Sequence, residues 1–345
     1  MIASRTMRVL VTGASGFIGH HVVQALVANG HEVVGLDRID GTSSMDRLRE
    51  VAPEARFVWH DLKSPVNNLV ARLIGPVDTI LHLAAATHVD RSIQDATAFV
   101  LDNVLGTAHI LEYARTQALS LFLNFSTDEV FGPAAEGHGY GEWDRYDPKN
   151  PYAATKAAAV EIAEAYRNTF KIPVVTTHCM NVFGERQHPE KFVPLVIRSV
   201  IRGDAIPIHC SPDMKPGSRF YIHSSMVAEI MVKLVEGVKG DGELHLPEPG
   251  FPVTGVVPVP RRLNIPGLVE VDNLDMARRI AKIAGKELNF ERVDFHSDRP
   301  GHDLRYGLDD ALFRNLFGVW PKDAFDQALE KTVKWYVENP SWLLI

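Results

Sequence analysis

The chain has little cysteine. Of its 345 residues only Cys179 and Cys210 are cysteines, so no disulfide framework is available and a reducing compartment, the cytoplasm, is expected. It also lacks any excess of positive charge. Lys and Arg number 36 against 43 Asp and Glu, a net charge of −7, which excludes nucleic acid as the main partner because phosphate backbones require a basic footprint. No apolar run reaches membrane-spanning length and no signal peptide is seen, so no membrane partner is expected. Met1 to Thr6 read as a short leader ahead of the first strand. Metal-ligand spacings are missing too: there is no HExxH, no Cys/His cluster and no acidic calcium loop, so none of the 15 histidines is assigned to a metal. What remains is an ordinary globular composition, 46% hydrophobic and 23% charged, in a chain of about two domains' length.

The first half alternates strand-like apolar runs with amphipathic stretches. Strands are expected at 8–12, 32–37, 57–59, 78–83, 120–126 and 173–178. Helices are expected at 17–29, 95–116 and 151–170, the last opening with proline, a good first helical residue. This alternation predicts an α/β fold with a parallel sheet covered on both faces. After about residue 180 prolines and short elements dominate. A helix at 225–236 is expected to return to the first domain, and 246–262 reads as a loop or hairpin insertion. Two further helices are expected at 273–284 and 324–337. The division read from this is an α/β domain over 1–180, rejoined at about 220–245, and a smaller domain over 181–345.

Gly13, Gly16 and Gly19 lie between the first strand and the first helix. Glycine allows the tight turn and a close backbone approach to a pyrophosphate, and the helix N terminus supplies N–H groups and a favourable dipole. Asp37 ends the second strand 18 residues beyond Gly19, suited to accept hydrogen bonds from the ribose hydroxyls of NAD. Its charge would repel the extra phosphate of NADP, although Arg38 beside it works against that argument. Asp61 and Leu62 follow the third strand where an adenine pocket would lie, or serve equally as a helix cap.

Tyr152 and Lys156 are one helical turn apart on one face. A nearby ammonium favours the phenolate, which turns the tyrosine into an acceptor for a hydroxyl proton. Ser126, Thr127, Asp128 and Glu129 stand at the carboxyl end of the fifth strand, where open α/β sheets place ligands. Two carboxyls in a partly dry site split their pKa values, so one can act as acid while the other acts as base.

These residues resemble the extended short-chain dehydrogenase/reductase superfamily and, within it, the dTDP-glucose 4,6-dehydratase family. The resemblance runs from Met7 to about Trp342. It rests on GASGFIG at 13–19, HLAAATHVDRSI at 82–93, STDEVFG at 126–132, YAATK at 152–156, NVFGERQHPEKFVP at 181–194 and DRPGHDLRYGLD at 298–309. It implies a doubly wound parallel Rossmann sheet with a smaller α/β substrate-binding C-terminal domain. It also implies a bound NAD, a sugar-nucleotide substrate and a homodimer formed through the helices expected at 95–116 and 151–170. Thr127, Asp128, Glu129, Tyr152 and Lys156 would be catalytic. Gly13, Ser15, Gly16, Phe17, Ile18, Gly19, Asp37, Asp61, Leu62, Ala84, Ala85, Thr87, Asn103, Ser126, Tyr152, Lys156 and Cys179 would hold the cofactor. Thr87, His88, Thr127, Asn181, Glu190, Lys191, Phe192, His209, Arg219, Arg299 and His302 would hold the substrate.

The sequence departs from that family on the substrate half. His178 stands where arginine is usual, Val182 where asparagine is usual and His209 where tyrosine is common; the turn from Cys210 to Ser218 is longer, and Arg219 is followed by Phe220 rather than aspartate. Two other readings stay open: a sugar-nucleotide epimerase or decarboxylase of the same superfamily, and an NAD-binding regulatory protein without catalysis.

Overall fold

The computed structural model describes residues 6–239, 242–246, 255–294, 304–321 and 323–344. Six strands and the helices between them build the first half. The strands are β1 (Arg8–Thr12), β2 (Glu32–Asp37), β3 (Arg56–Trp59), β4 (Thr79–His82), β5 (Leu121–Thr127) and β6 (Val174–Cys179). The helices are α1 (Phe17–Ala28), α2 (Met45–Val51), α3 (Asn68–Ile74), α4 (Val89–Gln94), α5 (Ala96–Phe99), α6 (Gly106–Ala114) and α7 (Pro151–Phe170). The sheet is parallel throughout and ordered β3-β2-β1-β4-β5-β6, with a seventh strand, Arg262–Ile265, paired parallel to β6. Order reverses beside β1, so a crevice opens at the carboxyl ends of β1 and β4, the position expected of a ligand in a doubly wound sheet.

The strands carry almost no polar pattern because both faces are covered: Leu10, Ile80, Phe122 and Val174 face one apolar layer, and Val9, Val11, Leu81 and Leu123 the other. The helix at Ser224–Gly237 packs on α1 in that second layer, and the segment at Ala311–Phe317 joins the same core through Phe313, Leu316 and Phe317. A separate core lies in the second half. There Phe183, Val196, Ile208, Ile280, Leu329 and Tyr336 are buried between helices Phe192–Arg202, Asn273–Ala284 and Ala324–Glu338 and short strands from 181 onward.

The helix at 151–170 stands as expected. The helix expected at 95–116 also forms: after Asp95, with φ −143° and ψ 80°, the chain stays helical from Ala96 to Ala114, but between α5 and α6 it winds as a π-helix over Val100–Leu105, a change of pitch the expectation did not include. The wide turn lets Asn103 face inward, where its side chain accepts from Ala86 N (2.8 Å) and donates to Ala86 O (3.0 Å) and Thr155 Oγ1 (2.9 Å). The contact with α7 rewards the irregular turn, as is common for π segments at functional sites. Of the segment expected as a loop or hairpin at 246–262, Gly255–Pro258 forms an antiparallel pair with Glu243–Leu246, a strand that lies almost wholly before it, and Arg262 already belongs to the large sheet; 247–254 lie outside the described residues.

Several histidines are buried and neutral. His82 is set between Thr12 Oγ1 (2.8 Å) and Thr107 Oγ1 (3.0 Å), and burial pushes it down to about 3. His178 is likewise pushed by burial to about 3 and His21 to about 4, while His20 is well below its ordinary value. In the unfolded chain such groups take up protons near pH 6.5, so stability is full above that pH and is lost as pH falls toward 4 and below. Asp37, Asp128 and Glu142, raised by burial, act in the opposite sense, but are fewer than the histidines, since burial also lowers His88 and His188. Each histidine contributes at about 1.4 kcal/mol per pH unit that separates its two states. The melting temperature is expected to drop steeply between pH 6.5 and 4, with net proton uptake on unfolding, as calorimetry in buffers of different ionisation enthalpy would show.

Candidate active site

The crevice is a cleft of about 900 Å³. One end is the glycine turn. Gly13 has φ +70°, and a Cβ there would meet Ala84 N at 2.8 Å, so β1 and the loop after β4 approach through bare backbone. A Cβ on Gly19 would fall 2.0 Å from Gly13 O. Gly19→Ala is therefore expected to push the turn off the helix, lowering the melting temperature and weakening dinucleotide binding by at least about tenfold. Thermal melts and a binding titration on the same variant check both.

Helix α1 begins with Gly16 as N-cap, with no side-chain cap and no acid in its first turn. Its N terminus thus keeps its full favourable field for a phosphate. Asp37 lies beside it: Oδ2 accepts from Ser15 N (3.0 Å) and Ser15 Oγ (2.7 Å), and burial lifts the carboxyl to about 6 against those bonds. The buried Ser126 hydroxyl has no protein partner and lies at the cleft wall. An uncapped N terminus, bare glycine backbone and a partnerless hydroxyl fit a dinucleotide laid across the strand ends.

The other end carries the reactive groups. Asn150 caps α7 by accepting from Ala153 N (2.8 Å), and Pro151 follows it, so the helix starts sharply and Tyr152 meets the cleft in its first turn. The Asn150 amide also donates to Glu129 Oε2 (3.2 Å), and Tyr306 O–H reaches the same oxygen at 3.5 Å. Asp128 and Glu129 open a 3₁₀ turn, Asp128–Phe131, capped by Thr127, which accepts from Glu129 N (3.3 Å) and donates to Asp128 Oδ1 (3.0 Å). The turn separates the two acids. Asp128 is buried, with Oδ2 lacking a hydrogen-bond partner, and burial with the Glu129 charge pushes it up to about 7. Glu129 is only half-buried.

Burial, and then the Glu129 carboxylate, push the Tyr152 phenol well above its usual range; a hydrogen bond with Thr127 opposes them. Lys156 is buried, pushed down to about 8, and donates to Phe125 O (2.6 Å). The phenol is therefore neutral at physiological pH in the protein alone.

The cleft brings together nearly every residue expected there. Gly13, Gly16, Phe17, Ile18, Gly19, Asp37, Asp61, Leu62, Ala84, Ala85, Thr87, Ser126 and Cys179 line it, as do His88, Asn181, Glu190, Lys191, Phe192, His209 and Arg219 and the five residues at the reactive end. Ser15 and Asn103 sit one layer behind, on Asp37 and on the Ala86 backbone. Arg299 and His302 lie outside the described residues. Asp61 caps no helix; Oδ1 accepts from Lys63 N (2.9 Å) within a turn. Glu190 is engaged by Arg91 (2.7 Å), His88 (3.5 Å) and His188 (3.7 Å). Arg219 spans to Ser218 O and Leu304 O, both at 2.7 Å. His178 is fully buried in β6, bonded to Tyr146 O–H (2.8 Å) and Asn264 (3.2 Å), so its departure from the family pattern touches the sheet and not the cleft.

Sequence reasoning did not single out Asn150, Asp102 or Tyr306. Asn150 carries a readable signal, an N-cap just before proline. Tyr306 lies within the segment quoted at 298–309, whereas Asp102 acts across a long separation and carries no local signal.

Residues 9–244 match the NAD dependent epimerase/dehydratase family, and the chain belongs to that family. Among its relatives it is 35% identical to a dTDP-glucose 4,6-dehydratase of Streptomyces niveus, over 97% of this chain and 94% of that one. It is 31% identical to dTDP-glucose 4,6-dehydratase 1 of Escherichia coli, over 98% and 94%. The dTDP-glucose 4,6-dehydratase DesIV of Streptomyces venezuelae, solved with NAD bound, superposes with a TM-score of 0.83 at 32% identity, covering 97% of this chain and 98% of that one. A UDP-glucose 4-epimerase of Thermus thermophilus solved with NAD follows with a TM-score of 0.79 at 26% identity, over 95% and 98%. Among the described residues no helix is long and apolar enough to cross a membrane.

Proposed function

We propose that the protein is a sugar-nucleotide 4,6-dehydratase, acting on a hexose such as that of dTDP-glucose and holding NAD in the glycine-turn end of the cleft. The observation that carries this reading is the divided acid pair: a buried Asp128 near neutrality beside a half-buried Glu129, in the same cleft as Tyr152. An epimerase has no use for such a pair; an elimination needs both. Similarity to the dehydratases over nearly the whole chain supports it.

Gly13, Gly16 and the α1 N terminus would hold the pyrophosphate, and Asp37 the ribose. When bound there, NAD would supply reversible hydride chemistry, for the oxidation at C4 and the reduction at C6. The chain's residues handle the protons. Tyr152 removes the proton of the C4 hydroxyl, with Thr127 holding that oxygen. The positive charge of Lys156, joined by that of a bound cofactor, would lower the phenol toward the range needed for the transfer. The resulting ketone acidifies C5–H, and Glu129 takes that proton. Asp128 gives its own proton to the leaving C6 oxygen, which departs as water. Glu129, whose proton exchanges with solvent in the meantime, then protonates C5, so the product is a 4-keto-6-deoxy sugar nucleotide and the cofactor ends unchanged.

Substrate contacts are proposed for Thr87, His88, Asn181, Glu190, Lys191, Phe192, His209 and Arg219. The dinucleotide-binding unit is proposed to span 1–180 with its return at 220–245, in a cytoplasmic enzyme. A homodimer is proposed through the α5–α6 and α7 helices, supported by the exposed apolar side chains of Val100, Leu101 and Leu105 on the π segment.

Product masses from a panel of dTDP-, UDP-, CDP- and GDP-hexoses test the reading. Loss of one water from one member, without accumulating reduced cofactor, is expected; an unchanged mass with altered stereochemistry would point to an epimerase.

A further inference from the structure

At the end of β2 the residue after Asp37 is a cation, and a cation beside a ribose site is what a 2′-phosphate seeks. Arg38 is not available for that. Its guanidinium forms a two-pronged pair with Asp102, Nη1 to Oδ1 at 2.5 Å and Nη2 to Oδ2 at 2.9 Å. Its Nε donates to Asp40 at 3.0 Å, and Nη1 lies 3.5 Å from both Asp61 oxygens. The other local cation, Lys63, is drawn to Asp61 (3.6 Å) and Asp102 (3.9 Å). All of these residues line the cleft. With Asp37 they set four carboxylates against two cations, so that wall is electronegative although it contains an arginine.

Asp102 is the hub. It reaches Arg38 because it lies in the π segment Val100–Leu105, next to Asn103, whose bonds to Ala86 and Thr155 hold that turn inward. Its side chain is 12% exposed, the least of the three partners of Arg38, and the two-pronged geometry is the strongest form of such a pair.

We propose that Asp102 is a specificity-determining residue, which keeps the cleft for NAD against NADP by holding Arg38 away from the position of a ribose 2′-phosphate. The inference rests on the NAD reading above. Releasing Arg38 gives a phosphate one charge-assisted partner and removes one repelling carboxylate.

The test is a fluorescence titration of the protein with NADH and, separately, NADPH. The wild-type protein is expected to bind NADH and to bind NADPH about a hundredfold more weakly or worse, because a like charge faces the phosphate. Asp102→Ala is expected to strengthen NADPH binding on the order of tenfold, with NADH changed less than about threefold. Arg38→Ala in the wild-type background should leave NADPH binding weak, and the double variant Arg38→Ala/Asp102→Ala should lose the gain. Should Asp102→Ala not fold, Asp102→Asn keeps the shape and removes the charge, and is expected to move NADPH binding in the same direction. An unchanged NADPH to NADH ratio in the folded Asp102 variant overturns the inference while NADH binding leaves the NAD reading standing. Failure of the wild-type protein to bind either dinucleotide overturns both.

Discussion

Glu129→Gln is expected to stop water release while sparing the oxidation at C4. The amide keeps an acceptor oxygen for the Asn150 donor now 3.2 Å from Glu129 Oε2, so the 3₁₀ turn and the start of α7 stay in place. It cannot take the C5 proton. Turnover should fall by about 10²–10⁴-fold, the usual contribution of a general base. Because Tyr152 and Lys156 are untouched, substrate still reduces the bound cofactor, and the absorbance of reduced nicotinamide should rise to a stable plateau in rapid mixing. Normal product formation by this variant would remove Glu129 from the mechanism.

Tyr152→Phe is expected to fail one step earlier. The ring keeps its packing against Phe99, at 6.4 Å between centroids, so the fold survives. The proton of the C4 hydroxyl loses its acceptor, and turnover should drop by about 10²–10⁴-fold with no reduced cofactor at all. The two variants thus differ in a readout that a merely structural defect would not separate: a plateau of reduced cofactor for one, none for the other. The pH profile adds a third check. Asp128, pushed up to about 7 by burial, carries its proton below that pH and loses it above. Water release should therefore decline on the alkaline side of about pH 7, while the oxidation seen in Glu129→Gln should not follow the same limb.

The glycine-turn end of the cleft was legible because its signals are local. Gly13, Gly16 and Gly19 sit in one strand-turn-helix unit, and Asp37 ends the very next strand, so their meeting at one end of the cleft follows from short-range geometry. The grouping at the other end was legible for the same reason: Thr127 ends a strand, Asp128 and Glu129 follow it directly, and Pro151 starts the helix that carries Tyr152 and Lys156. Other features needed the tertiary structure. The π turn at Val100–Leu105 depends on Asn103 finding Ala86 and Thr155, partners that no helical period encodes. The helix at Phe192–Arg202 is hidden by Pro194 and a run of β-branched residues. Pro194 is tolerated because it falls in the first turn, where its missing N–H has no helical partner to lose. The strand at Arg262–Ile265 reads as the tail of an insertion, yet it is buried as the edge partner of β6. The union of Arg38 with Asp102 joins positions 64 residues apart and leaves no trace in either local sequence.

The most direct test of the central claim uses dTDP-glucose carrying deuterium at C4. Oxidation at C4, elimination across C5 and C6 and return of the same hydrogen at C6 predict one outcome by mass spectrometry and NMR. The product is lighter by one water, keeps its deuterium, now at C6, and carries a solvent hydrogen at C5. Deuterium still at C4, or a product of unchanged mass, would contradict the account.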